Sequence, residues 1–167
     1  MSDLTLPHLS ATGDARMVDV SDKAVTQRTA TAGGVVLLTE TCVAALRDGT
    51  VPKGDALAVA RIAGIQGAKK TSDLIPLCHP LFLSGVDVTT DVVDRGVVIR
   101  ATVRTTDRTG VEMEALTAVS VAALAVVDMV KAIDRGATIT DVQVLAKSGG
   151  RRGDWQRTEG AEPGSAT

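Results

Sequence analysis

The stretch EMEALTAVSVAALAVVDMVKAID, residues 112–134, limits the fold more than any other segment. It is the longest helical pattern in the chain, and between Ala115 and Val127 its only polar side chains are Thr117 and Ser120. A helix this apolar has no solvent face to spare, so it must be covered on most sides. The pattern stops near Gly136. The rest of the chain has to supply that cover.

The material for doing so is small. Phe82 and Trp155 are the only aromatic residues among 167, so Ala, Val, Leu and Ile fill the core and favour close approach of helices and strands. The lack of aromatic platforms also argues against a base-stacking reader of single-stranded nucleic acid. A formal net charge of −2 gives no general attraction to nucleic acid or to an anionic membrane. Any phosphate affinity must come from a local cluster of Lys and Arg. The composition, 44% hydrophobic and 23% charged, is that of a globular domain, and the length fits one domain. Cys42 and Cys78 form no CxxC pair and make a poor disulfide framework. The N-terminus lacks an apolar signal core, and no apolar run approaches the ~18 residues of a membrane span. A reducing, cytoplasmic setting is expected.

Periodicities alternate along the chain. Residues 1–14 read as a loose arm and 158–167 as a disordered tail of small, polar and turn-forming residues, which leaves one domain over 15–157. Residues 16–32, rich in Val and Thr, read as extended. GGVVLLTETCVAALRDGT, 33–50, has Leu38, Cys42, Ala45 and Leu46 at helical spacing. Pro52-Lys53-Gly54-Asp55 opens a second helix, in which Ala60, Gly64 and Ala68 form a stripe of small residues suited to close packing. Two strands follow, joined at Asp94-Arg95-Gly96, a hairpin signal. After the long helix, TITDVQVLAKSGG supplies a last strand with a glycine-rich exit. The order β-α-α-β-β-α-β predicts an α+β fold of the ferredoxin-like βαββαβ type, an antiparallel sheet with helices on one face, plus an additional helix.

Several groups carry candidate chemistry. In DLIPLCHPLFLSG, Cys78 and His79 sit between Pro76 and Pro80. A zinc site would need further ligands, and only His8 and Cys42 remain to supply a His or Cys. A thiol–imidazole pair is hampered because neighbouring residues in extended backbone point apart. Two readings stay open: Cys78 packing as a small hydrophobe with His79 capping a turn, or a ligand-binding segment rigidified by the prolines. Asp128 and Lys131, three apart on the long helix, share a face. They are either a surface ion pair or an acid/base pair beside a buried surface, where burial and a partner charge would tune a group towards neutral pH. Glu112 and Glu114 either complement the helix dipole or, in an extended approach, point to one side. Lys53, Lys69, Lys147 and Arg28 are dispersed cations that a fold could gather into a polyphosphate pocket. KSGGRRGD contains no Walker loop, and no GxGxxG occurs.

Taken together, ARMVDVSDKAVTQRTATA, ARIAGIQGAKKTSDLIPLCHPL, GVEMEALTAVSVAALAVVDMVKAID and VLAKSGGRRGD resemble the cyclic pyranopterin monophosphate synthase family of molybdenum cofactor biosynthesis, from about Ala15 to Asp154. Departures are confined to the arm, where Ser10 stands at a position often acidic in that family, and to the tail. The resemblance implies a ferredoxin-like lyase. Its substrate would be the nucleotide-derived 3′,8-cyclo-7,8-dihydro-GTP, rearranged to cyclic pyranopterin monophosphate with release of diphosphate. It implies a homohexamer built from dimers; nothing in the sequence demands an organic cofactor or a metal, and whether Mg²⁺ travels with the triphosphate is left open. It implies neither a nucleic-acid nor a membrane partner. By the same resemblance, Asp128 and Lys131 are the catalytic pair. Leu77, Cys78, His79, Met113 and Glu114 contact substrate, and Lys53, Lys69, Glu112, Lys147 and Arg28 are further pocket positions. Glu114 and Asp128 lie fourteen residues apart. On one helix that is ~21 Å, which predicts a pocket shared between subunits. The rival reading is an inactive paralogue that binds a nucleotide or pterin as a regulatory domain.

Overall fold

The computed structural model describes residues 14–151 and 153–158. Of the expected loose arm and tail only Asp14 and Thr158 fall among them; His8 and Ser10 lie outside. The elements are β1 (Thr26–Leu37), α1 (Glu40–Arg47), α2 (Ala56–Lys69), α3 (Thr71–Leu74), β2 (Leu83–Val93), β3 (Gly96–Asp107), α4 (Glu112–Val130), β4 (Thr138–Ser148) and β5 (Trp155–Gln156).

The sheet runs β2-β3-β1-β4-β5 with every neighbouring pair antiparallel. Its first four strands have the ferredoxin-like order, each helical crossover skipping one strand. The β2–β3 hairpin turns at Asp94-Arg95, as the sequence signal predicts. Gly96 follows with φ +147°, because β1 passes so close that a Cβ there would run into the Val36 carbonyl.

Alternation along β1 and β3 sends Ala30, Ala32 and Val36, with Val97, Ile99, Ala101 and Val103, into the core beneath the helices. Against them α4 buries Ala115, Ala118, Val119, Ala122, Ala123 and Val126 completely. Each such valine contributes on the order of 1.5–3 kcal/mol. The small-residue stripe of α2 lies on α4: a Cβ at Gly64 would sit 3.0 Å from the Ala118 carbonyl, and one at Gly67 2.8 Å from the Val121 side chain. Sheet and α2 together are the cover that α4 required. Contrary to the expectation from apolar runs, α4 is long and apolar enough to cross a membrane, yet more than half of that stretch is buried inside the protein.

Four local expectations are corrected. Gly33 to Leu37, read with the first helix, belong to β1, since Val35 and Val36 are fully buried within the sheet and α1 starts only at Glu40. The strand begins at Thr26, and residues 16–25 form no strand. The long helix ends at Val130, with Lys131 as its C-cap. Beyond it Asp134 turns the chain, accepting from the backbone N–H of Thr39 at 2.7 Å and of Gly136 at 2.8 Å. The short helix α3 and the two-residue β5 have no counterpart in the sequence reading.

Candidate active site

One group of candidates gathers at the C-terminal end of α4. Asp128 and Lys131 share an exposed face, and Lys131 Nζ lies 2.7 Å from Asp128 Oδ1. A turn at residues 51–54, closed by Gly54 N–H to the Val51 carbonyl, brings Lys53 to the same place. Its ammonium donates to Asp128 Oδ2 at 2.9 Å and to the Asp128 carbonyl at 2.8 Å, so it also caps the negative end of the helix. Hydrogen bonds from Lys131 and Lys53, and then their charges, hold the Asp128 carboxyl down at about 2. All three side chains are 41–58% exposed in the single chain. In the single chain the pair is thus an exposed ion pair, the first of the two readings, standing beside the buried Met129 and Val130 of the same turn.

The second group stands at the other end of α4. α2 runs antiparallel to α4, with Lys53 at Asp128 and Gly67 against Thr117, so the exposed Lys69 closes α2 near the start of α4. Glu112 and Glu114 occupy the first turn of the helix, not an extended approach, and their fates differ. Glu112 is half-buried and pairs with Lys147 Nζ at 3.1 Å. Lys147 comes from β4, opposite Ala30 on the helix side of the sheet. Glu114 is 4% exposed. Burial pushes its carboxyl up to about 7; its own N–H offsets part of this and the Glu112 charge adds to it. Met113 between them is partly exposed.

Leu77, Cys78 and His79 are half-buried in the loop after α3, where the Cys78 N–H closes a turn on the Ile75 carbonyl. Burial, and then the neighbouring Glu114 charge, push the Cys78 thiol above its ordinary value. Such a thiol is a poor nucleophile at neutral pH. His79 lies within electrostatic reach of Asp19, whose carboxyl is held down mainly by the hydroxyl and N–H of Ser21. Arg28, on β1, donates from Nε to the Asp107 carbonyl at 3.0 Å. Among the described residues no three His, Cys, Asp or Glu side chains gather as a metal cluster.

The fold thus joins Lys53 to Asp128 and Lys131, and joins Lys147 to Glu112 and Cys78 to Glu114. The two groups stay apart, because fourteen helical residues separate Glu114 from Asp128 by about 21 Å. The Glu112–Lys147 pair and three further contacts escaped the sequence reading. Lys53 binds Asp128 from 75 positions away, which no local spacing reveals. The Asp107 carbonyl anchors Arg28 across the β1–β3 ladder. Asp154 accepts from the Gly149 N–H at 3.0 Å; the only signal for it was an Asp shortly after two glycines.

Comparison with known proteins identifies the family. The MoaC family model matches residues 17–150. A cyclic pyranopterin monophosphate synthase of Streptomyces coelicolor is 67% identical over 153 residues, 92% of this chain and 90% of that protein. One from Nocardioides is 65% identical over 91% of this chain and 95% of the relative. Cyclic pyranopterin monophosphate synthase 2 of Mycobacterium tuberculosis is 60% identical over 91% of each. Every candidate residue of both groups falls inside the matched span, and this chain belongs to the MoaC family.

Proposed function

We infer that this chain is a cyclic pyranopterin monophosphate synthase, a lyase that converts 3′,8-cyclo-7,8-dihydro-GTP to cyclic pyranopterin monophosphate and diphosphate in molybdenum cofactor biosynthesis. What carries the reading is the Lys53–Asp128–Lys131 cluster, in a chain 67% identical to a protein of that name.

The reaction moves protons around a purine-derived ring and ribose, and it closes a cyclic phosphate as diphosphate leaves. Lys131 is the proposed proton donor. Asp128, ionised down to about pH 2, first serves to orient the two ammonium groups. When substrate phosphate draws a lysine away, the carboxylate loses that partner, becomes more basic and can accept a proton. Lys53, Lys69, Lys147 and Arg28 are the cations proposed to meet charge building on the leaving diphosphate. Leu77, Cys78, His79, Met113 and Glu114 would hold the ring, with Cys78 as a contact and not a nucleophile. The rearrangement is redox-neutral, so the reading needs no organic cofactor or redox metal; Mg²⁺ arriving with the triphosphate would be part of the substrate.

The separation of the two groups along α4 supports a pocket completed across a two-fold axis, in dimers that build a hexamer. A cytoplasmic setting is consistent with two free cysteines. Single-turnover conversion of 3′,8-cyclo-7,8-dihydro-GTP tests the whole reading. Wild type should release diphosphate and form the pterin, and Lys131→Ala, still assembled, should lose both. Binding by wild type without turnover would sink it.

A further inference from the structure

The glycine pair after β4 has no part in the chemistry above. Gly149 and Gly150 both have left-handed backbone, with φ +83° and +81°. They start the turn that returns the chain as β5. The turn closes on itself: Gly149 N–H donates to Asp154 Oδ1 at 3.0 Å, and Gly153 N–H donates to the Gly150 carbonyl at 3.1 Å. Its inner side rests on β1. A Cβ on Gly149 would collide with the Gln27 carbonyl and lie 3.4 Å from Arg28 Cα. One on Gly150 would collide with Arg28 Nη1, and would lie 3.0 Å from Cζ and 3.5 Å from Nη2. Gly150 is thus fitted to the Arg28 guanidinium, and Gly149 to the β1 backbone just before it.

Arg28 is held on its other side by the Asp107 carbonyl, through Nε alone. Among the described residues it makes no ion pair with a carboxylate. By strand register it shares the helix side of the sheet with the buried Thr105, and it stands one alternate position along β1 from Ala30, which faces Lys147. Its guanidinium therefore belongs to the Glu112–Lys147 end of the site.

We propose that the Gly149-Gly150 turn is a positioning element: Gly149 lets it lie against the β1 backbone, and the missing side chain of Gly150 leaves the space that fixes the Arg28 guanidinium for the anionic part of the substrate. This rests on the synthase reading, which supplies a polyphosphate for Arg28 to meet. Gly149 and Gly150 touch no substrate themselves; they act through Arg28.

A double-mutant cycle read by steady-state kinetics separates this role from simple backbone strain. Gly150→Ala should lower kcat/KM at least about tenfold, with the same division between kcat and KM as Arg28→Ala. Once Arg28 is already Ala, adding Gly150→Ala should cost nothing further, because the clashing guanidinium is gone. Left-handed strain persists in both backgrounds, so equal losses in both would overturn the inference. Wild-type kinetics in Gly150→Ala, or in Arg28→Ala, would overturn it too. Thermal melting identifies a variant that fails to fold; then Gly150→Asn, which tolerates the left-handed backbone but keeps the bulk, takes its place. Calorimetric titration with inorganic tripolyphosphate provides a readout independent of turnover. If wild type does not turn over, the synthase reading fails, while tripolyphosphate binding lost alike in Gly150→Ala and Arg28→Ala would still support the positioning role. Absence of both turnover and binding in wild type overturns both.

Discussion

Asp128 and Glu114 are carboxylates on the same helix, and their surroundings drive their acidities to opposite sides of the ordinary range. Two ammonium groups hold Asp128 at about 2, whereas burial lifts Glu114 to about 7. The second shift has a consequence for stability. Between the ordinary value of 4.5 and about 7, folded Glu114 keeps a proton that the unfolded chain has released. Folding takes up a proton in that window, so stability is highest below it and falls as pH rises through it, by about 3 kcal/mol in total. Glu114→Gln has nothing to titrate and should flatten that slope. Urea unfolding midpoints at pH 5 and pH 7.5 read it directly, and equal slopes in wild type and variant would place the burial cost elsewhere.

At the scale of elements, the contact that sets the geometry of the site is α2 against α4. Gly64 and Gly67 let the two backbones approach, and this approach carries the Lys53 turn to the last turn of α4. Gly67→Ala isolates the effect. Alanine gains about 1 kcal/mol of helix propensity, but its Cβ would stand 2.8 Å from the Val121 side chain and 3.2 Å from the Thr117 carbonyl. Overpacking of this kind costs about 1–3 kcal/mol. The expected result is a protein less stable by up to about 2 kcal/mol, measured by denaturant unfolding. A more stable variant would mean that the helices separate easily, and Lys53 would then not be firmly placed.

For the whole molecule, the decisive fact is the distance between the two groups of candidates. One small substrate cannot bridge about 21 Å between Glu114 and Asp128 along one α4, so the proposed site calls for a second chain to bring its own group alongside. Asp128→Ala and Glu114→Ala are each expected to inactivate a uniform oligomer. Mixed after dissociation and reassembly, they should regain activity, with about a quarter of the pockets free of both substitutions if subunits pair at random. Mixed oligomers, verified by mass, that stay inactive would mean that each chain holds a complete site.

Local chemistry alone determined a good part of this protein. The hairpin at Asp94-Arg95-Gly96, the α2 start at Asp55 and the small-residue stripe follow from turn residues, capping and periodicity, each acting within a few positions. The apolarity of α4 required a cover, and the element order gave the ferredoxin-like topology that provides it. Where local signals conflict, the sequence is mute. Gly33 to Leu37 read with the first helix, and only pairing with β3 and β4 makes them strand. The site shows the same division. The motif residues were legible one by one, and Asp128 with Lys131 even as a pair, because three positions on a helix make neighbours. That Lys53 completes that pair, that Glu114 is buried while Glu112 meets Lys147, and that Gly150 packs on the Arg28 guanidinium were decided by tertiary structure. Contacts across 75 residues or between strands depend on how the layers stack, and no local spacing encodes that.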